Sequence, residues 1–516
     1  MTPVLAAAVK NIRCAMEGKI FASRTLLVIF ISLLFLSCDL FDTTDSSTVF
    51  YAKNITTGRD YTLKAELLAS GAYCNVWVEK GSGVSKTQAK NFADRYDSEI
   101  HKQMISAFGI ANPTFFDGRN NRSFSDIMKF ADYLGDGDGK LCILLLDIKD
   151  SYKEGVNNSY VAGYFWAGNF FSPSQIPGSN RRDMIYIDTY PAMKSDIESV
   201  FTTLAHEMQH MINFVTSILL RADLYGEDAY IDVMDTWIDE GLSSAAEYIV
   251  GKKHLEDRIS WYNENGSSRR NMKGLIDEGN NFFVWDNHQD NQYAILDDYA
   301  TVYLFFQWLR IQNGGNDIYR KIISSEYPDH QAVEAATNVN WNVLLRNWMA
   351  ANYIYDSTGI YGYKNDIPES GITINTVPSG MVSVDLYPGE GVYSVTDSTD
   401  TMPAQGINIR YAGLNKTSGV NDNNIYSSGV LLTYNINTVL IVEGANGKPM
   451  DSPPETGTTT GKAASVNIAQ GRSAVSSYSG LYRIGIADLL SQYGGNRGDF
   501  TPRNIQDKLR EVLIVK

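Results

Sequence analysis

Between Val49 and Glu79 apolar and polar residues alternate, in Tyr61-Thr-Leu-Lys-Ala-Glu-Leu-Leu and again in Tyr73-Cys-Asn-Val-Trp-Val-Glu. That period of two predicts strands covered on one face, with Ser70-Gly71 as the turn between them. The period then changes. Ala89, Phe92, Ala93 and Tyr96 recur at helical spacing, and Ser85 stands where a cap belongs, so a helix is expected over about 86–108. Leu141-Cys-Ile-Leu-Leu-Leu146 is an unbroken apolar run, which suits a strand buried on both faces, and Met184-Ile-Tyr-Ile-Asp188 reads as another. The segment Tyr160–Phe171 between them is aromatic and punctuated by glycine.

Helical spacing returns after Ser195 and Asp196, either of which can cap a helix with Ile197, Val200, Leu204 and Met208 on its buried side. Residues 216–234 are expected to link it to a further helix over about 235–250, and Asn263–Arg270 reads as a polar turn. Leu296–Ile311 carries Tyr299, Val302, Tyr303, Phe306 and Leu309 at amphipathic spacing, and Gly314-Gly315-Asn316 ends it. Ala332–Thr337 and Trp341–Tyr353 look like two more helices. Beyond Pro368 the composition shifts to Ser, Thr, Gly, Asn and Val in short alternating runs such as 381–387 and 429–434, the pattern of a β-sandwich-like domain. Asp451–Gly461, with its prolines and threonines, is expected to be an exposed loop, and Thr501-Pro502 to open a final helix. The chain is therefore expected to be α+β, with an N-terminal α/β part over 49–195, a helical part over 196–367 and a β-rich part over 368–516.

The residues before Val49 read differently. Lys19 and Arg24 precede the apolar run Thr25–Leu36, which closes at Ser37-Cys38. A basic start, a short apolar stretch and a small residue before cysteine resemble a bacterial lipoprotein signal over 1–38, with Cys38 as the lipidated residue. The run is shorter than the roughly 20 residues a spanning helix needs. Met16 is the more conventional start for such a signal. Residues 39–48 are small, polar and acidic, a flexible tether. This places the folded part at a bacterial cell envelope or surface, attached to a membrane through lipid.

The chemistry concentrates in Thr203-Leu-Ala-His206-Glu207-Met-Gln-His210-Met-Ile212. Residues four apart on a helix share a face, so His206 and His210 can both offer a ring nitrogen to one ion. Glu207 is turned by about 100° on the wheel, which sets its carboxylate beside the ion's open position as a general base. Two imidazoles make a poor site, because catalytic zinc takes three protein ligands. Thirty residues past His210, in Asp235-Thr-Trp-Ile-Asp239-Glu240-Gly-Leu-Ser-Ser-Ala-Ala-Glu247-Tyr248, Glu240 and Glu247 lie two turns apart on one face. Glu240 is taken as the third ligand and Glu247 as a hydrogen-bond partner of a ligating histidine.

The stretches Thr203–Phe214 and Trp237–Ser243 resemble the gluzincin metallopeptidases, and within them the hyicolysin-type enzymes; the likeness runs from about Leu63 through Tyr319. The resemblance implies a zincin-like domain, one zinc ion per chain, a peptide or protein substrate, and a downstream glutamate completing the metal site. It further implies an edge strand ahead of the metal helix that pairs with extended substrate, and a Tyr or His from a later element that stabilises the oxyanion. Tyr299 is the first candidate for that role, followed by Tyr293, Tyr303 and His288. Asp239 departs from the pattern, since many relatives have asparagine there.

With 44 Lys+Arg against 59 Asp+Glu and a net charge of −15, the surface repels polyanions, and nucleic-acid binding is excluded. His101, His254 and His330 read as ordinary structural histidines. Cys74 and Cys142 both lie in β-like apolar runs, as one bridge or as two buried thiols. Asp136-Gly-Asp138-Gly could coordinate calcium, although Leu134 sits where another oxygen ligand is expected; the other reading is a Gly-rich hairpin. Against the peptidase stands a second function class, a surface lipoprotein adhesin whose metal helix is structural.

Overall fold

The computed structural model describes residues 47–117, 121–158, 160–226, 233–264, 282–283, 292–368, 371–374, 376–377, 383–386, 388–397, 400–439, 465–467 and 513–515. The leader with Cys38, the turn 265–270, His288, the loop 451–461 and the segment at Thr501-Pro502 lie outside the described residues.

Three strands open the described chain: β1 (Thr48–Asn54), β2 (Arg59–Ser70) and β3 (Cys74–Glu79), the last two forming the expected hairpin through Gly71. Helix α1 (Lys86–Arg95) starts with a capping box, in which Ser85 Oγ accepts from the Gln88 amide and the Gln88 side chain accepts from the Ser85 amide. One turn of π-helix, Tyr96–Ile100, joins α1 to α2 (His101–Ala107). The small hairpin β4 (Thr114–Phe116) and β5 (Asn121–Ser123) leads to α3 (Ile127–Leu134), capped by Asp126. Strands β6 (Leu141–Leu146), β7 (Val161–Phe165) and β8 (Met184–Asp188) follow.

These strands build one mixed sheet in the order β1-β2-β3-β6-β8-β7, with β16 (Leu513–Val515) along the outer edge of β7. β3, β6 and β8 run parallel, while β7 is antiparallel to both β8 and β16. Every residue of β6, β7 and β8 is buried, which is why their sequences are apolar runs without alternation. The loop 135–140 joins α3 to β6, and β6 pairs parallel with β3. The hairpin reading of that loop is corrected accordingly.

A short helix, α4 (Ala192–Ser195), precedes α5 (Ile197–Tyr225), whose cap is Asp196 accepting from the Glu198 amide. α5 extends through much of the stretch expected to be a linker. All residues from Val200 to Leu219 are buried, so the helix runs through the core instead of lying on it. The one-sided reading fails at Ile197, which is 41% exposed in the first turn. Gly163 of β7 lets α5 approach the sheet, because a Cβ there would lie 2.9 Å from Thr203 Cγ2.

The remaining helices are α6 (Thr236–Gly251), α7 (Glu256–Glu264), α8 (Gln292–Gln312), α9 (Asp317–Ile323), α10 (His330–Thr337) and α11 (Trp341–Ile354). α8 ends before Gly314 and Gly315, both at positive φ, as expected. It is not amphipathic, since nearly every residue from Asp297 to Leu309 is buried, charged ones included. Trp237 of α6 is fully buried among Phe282, Phe283, Phe305, Phe306 and Trp341, with ring centroids 5.3–6.2 Å away. This aromatic cluster fixes the rotation of α6 about its axis.

A second sheet, β13-β12-β14-β11-β9, comprises Gly419–Asn421, Ile409–Asn415, Val430–Asn435, Gly391–Val395 and Thr376–Val377. One face joins the main core, with the Tyr393 hydroxyl donating to Met349 O at 2.8 Å. The other carries the cluster Leu386, Val392, Ile409, Tyr411 and Leu431. The short strands β10 (Ser383–Asp385) and β15 (Ser465–Asn467) pair parallel. Among the described residues no helix is long and apolar enough to cross a membrane.

Candidate metal centre

α5 and α6 pack side by side in the core, and their facing turns carry the residues singled out from the sequence. His206 Nε2 lies 3.2 Å and His210 Nε2 3.6 Å from Glu240 Oε2. Donors from all three residues fall within 4.8 Å of one another. Two ligands of a tetrahedral ion with bonds of about 2.0–2.1 Å stand about 3.3 Å apart, so the spacing fits a zinc-sized ion. All three side chains are buried, and neither Nε2 is spent on a hydrogen bond. Buried polar atoms left in this state are costly unless a ligand takes them.

The other nitrogen of each ring is held. His206 Nδ1 lies 2.9 Å from Glu247 Oε1, and His210 Nδ1 lies 2.8 Å from Asp239 Oδ2. An Nδ1–H donated to a carboxylate leaves the Nε2 lone pair for an ion. The Asn213 amide donates to the second oxygen of Asp239 and steadies it. Asp239, expected only as a departure from the family pattern, thus has a place in the site.

Electrostatics follow from the crowding of carboxylates. Burial lowers the His206 imidazole, but Glu240 and Glu247 outweigh it and raise the ring to about 10. The same contest, with Asp239 and Glu240, raises His210. Burial pushes the Glu207 carboxyl up, while the two imidazoles and the Phe165 amide of β7 pull it back; the balance stands at about 7.

Tyr299 of α8 is brought to this centre, with its ring centroid 6.5 Å from that of His206. Burial raises its phenol well above the ordinary range, and the charges of Glu240 and Glu207 push the same way. Tyr303 is not brought there. Its hydroxyl bonds His254 Nδ1 at 2.8 Å and the Leu255 amide at 3.0 Å. The side chain of Tyr293 lies outside the described residues, as does His288. His254 also meets Asp366 at 3.1 Å, His101 stacks on Tyr73 at 4.1 Å, and His330 packs against Phe283 and Trp341.

Sequence reasoning missed Arg258 of α7. It is only 5% exposed, and its guanidinium lies 4.6 Å over the Tyr299 ring. The charges of Asp257, Glu247 and Glu240 act on it. Nothing in Glu256-Asp-Arg-Ile-Ser-Trp-Tyr-Asn-Glu264 marks this arginine out, since charged residues flank it and the contact is made across the fold.

Comparison with known proteins agrees with this geometry. The chain is similar to a hyicolysin-type neutral metalloprotease. It is 29% identical over 326 residues to the neutral metalloprotease ShpI of Staphylococcus hyicus, a match covering 61% of this chain. The chain spans 64% of the length of that relative. No family model matches.

Proposed function

We propose that the protein is a zinc-dependent endopeptidase. The observation that carries this reading is the buried convergence of His206, His210 and Glu240, with neither Nε2 atom spent on a hydrogen bond and both Nδ1 atoms held by carboxylates. The metalloprotease similarity supports it. His206, His210 and Glu240 would hold the ion, which when bound supplies Lewis acidity to the scissile carbonyl and acidity to a water molecule.

The rest belongs to the chain. Glu207 accepts the proton of the attacking water at its carboxylate and passes it to the leaving nitrogen, a role its balance near pH 7 suits. Tyr299 keeps its phenolic proton throughout the neutral range and can donate it as a hydrogen bond to the developing oxyanion. Arg258, stacked on the Tyr299 ring, fixes that ring's position. β7 runs past Glu207 through Phe165, and its outer edge is taken by β16.

The test uses purified protein with zinc analysis and casein cleavage. Glu207→Gln should keep its zinc and lose at least about 100-fold in cleavage rate. Cleavage surviving that change would remove Glu207 from the reaction, and an unmutated protein that binds zinc and cuts nothing would favour the adhesin. The membrane part of the proposal rests on the leader, where palmitate labelling lost in Cys38→Ala is the expected result. The β-sandwich reading of residues 368–516 is supported by the five-stranded sheet with apolar residues on both faces.

A further inference from the structure

β7 and the metal helix run side by side. Gly163 of β7 lies against Thr203 of α5, where a Cβ would come within 2.9 Å of Thr203 Cγ2, and the Phe165 amide acts on the Glu207 carboxylate. Two residues of strand rise about 6.6 Å and four residues of helix about 6 Å, so the strand from Gly163 to Phe165 keeps pace with the turn from Thr203 to Glu207. A chain paired to the outer edge of β7 therefore travels alongside the turn that carries His206 and Glu207.

β16 is such a chain. Without it β7 would be the last strand of the sheet, with the row of free N–H and C=O groups that makes an edge a template for any extended polypeptide. Leu513 stands opposite Tyr164, one residue from Phe165, and Val515 stands opposite Val161, antiparallel. β16 thus lies one strand spacing, about 4.7–4.9 Å, from the strand that touches Glu207. Its hold is weak beside the rest of the sheet. β16 has three residues, and its register shifts between Leu513 and Val515, which interrupts the ladder. β6 and β8, by contrast, stay in register over five pairs.

We propose that β16 is a built-in competitive inhibitor: it occupies the edge of β7 on which an extended peptide substrate docks, and it must leave before one can bind. The inference rests on the peptidase reading and adds a regulator to it. Main-chain pairing is blind to side chains, so β16 and a substrate compete for the same N–H and C=O groups of β7 whatever the substrate's sequence. The substrates that can compete are unfolded or extended polypeptide segments, since only a segment free of its own hydrogen-bonded structure can supply the ladder. Leu513-Ile514-Val515 favours the extended form, and its short, shifted pairing lets it yield. If β16 is seated nine-tenths of the time, one-tenth of the molecules are competent and the apparent KM is raised about 10-fold.

The experiment compares the full zinc-loaded chain with a chain cut after Val512 and with the double variant Leu513→Pro/Val515→Pro, whose prolines take two N–H groups out of the ladder. Hydrogen exchange over residues 161–165, a readout independent of the protein's own activity, should quicken in both variants and slow again when a synthetic peptide of residues 512–516 is added. With unfolded casein as substrate, KM should fall about 10-fold at unchanged kcat and unchanged zinc content, and the added peptide should inhibit competitively. Unchanged exchange overturns the inference, because β16 then does not hold the edge. Faster exchange with an unchanged KM overturns it as well, because substrate then docks elsewhere, and a lower kcat/KM in both variants does so by making β16 a support of β7. If parent and variants all keep zinc and none cuts casein, the peptidase reading falls and the inhibitor with it; a parent that cuts while the variants gain nothing removes the inhibitor alone.

Discussion

Glu247 offers the sharpest test of the metal centre, because a solvated helix-face carboxylate and a partner of His206 give opposite expectations. The side chain is 3% exposed, and its Oε1 lies 2.9 Å from His206 Nδ1. Glu247→Ala would leave a buried N–H without an acceptor, a loss of about 1–3 kcal/mol. Outer partners of metal-bound histidines are worth about 10–100-fold in metal affinity, or about 1.4–2.7 kcal/mol, so two independent routes agree. Glu247→Gln retains a carbonyl acceptor but gives up the charge, and since charge-assisted bonds are roughly twice as strong as neutral ones, about 1 kcal/mol or 5-fold is expected. The Asp239 side chain, on His210, is 24% exposed, so solvent can replace it and Asp239→Ala should cost less than Glu247→Ala. The assay is competition for zinc against a chromophoric chelator, with far-UV circular dichroism of the metal-free variants as the folding control. A folded Glu247→Ala protein that binds zinc within about twofold of the parent refutes the reasoning.

Three further outcomes follow from the same coordinates. Gly241→Ala puts a Cβ 2.4 Å from the ring of Phe306, which the aromatic cluster holds in place; the clash should outweigh the roughly 1 kcal/mol that alanine gains in a helix, so urea melts should show a net loss of about 1–2 kcal/mol, with weaker zinc binding because Glu240 is adjacent. Zinc binding should release protons: with His206 raised to about 10, its metal-free imidazole is charged at pH 7, the ion must displace that proton, and affinity rises with pH; calorimetry in buffers of different ionisation enthalpy should differ by at least about one proton per ion. Cys74 and Cys142 are buried free thiols whose ionisation burial raises, so maleimide mapping should label them only when the chain unfolds.

What could be read in the sequence was what local periodicity encodes. The spacing of His206 and His210 is a property of one helix, and that of Glu240 and Glu247 a property of another, so each pair could be placed on a face before any fold was known. Ser85 with Gln88 and Asp196 with Glu198 are likewise contacts within one turn. The errors came where a one-sided pattern was assumed. α5 is covered on all sides by the sheet and by α6, so its apolar residues do not trace one stripe, and Ile197 lies in the first turn, short of that cover. The segment after residue 216 was expected to link two helices, but α5 continues through it to Tyr225, and Thr216 and Ser217 are buried.

Arg258 and Asp183 were illegible for a deeper reason. Each lies in an unremarkable local context, and each acquires a meaning only from elements far along the chain: Arg258 from Tyr299 and Glu247, Asp183 from the loop at Gly135. A charge buried by long-range packing leaves no period in the sequence, yet it is the kind of group that needs an explanation once the fold is known. The two positions also differ in a way that bears on function. Arg258 stands among opposite charges and an aromatic face, so its burial is compensated within the protein and serves to hold Tyr299. Asp183 stands among like charges, those of Asp136, Asp132 and Asp138, which add to the cost of its burial.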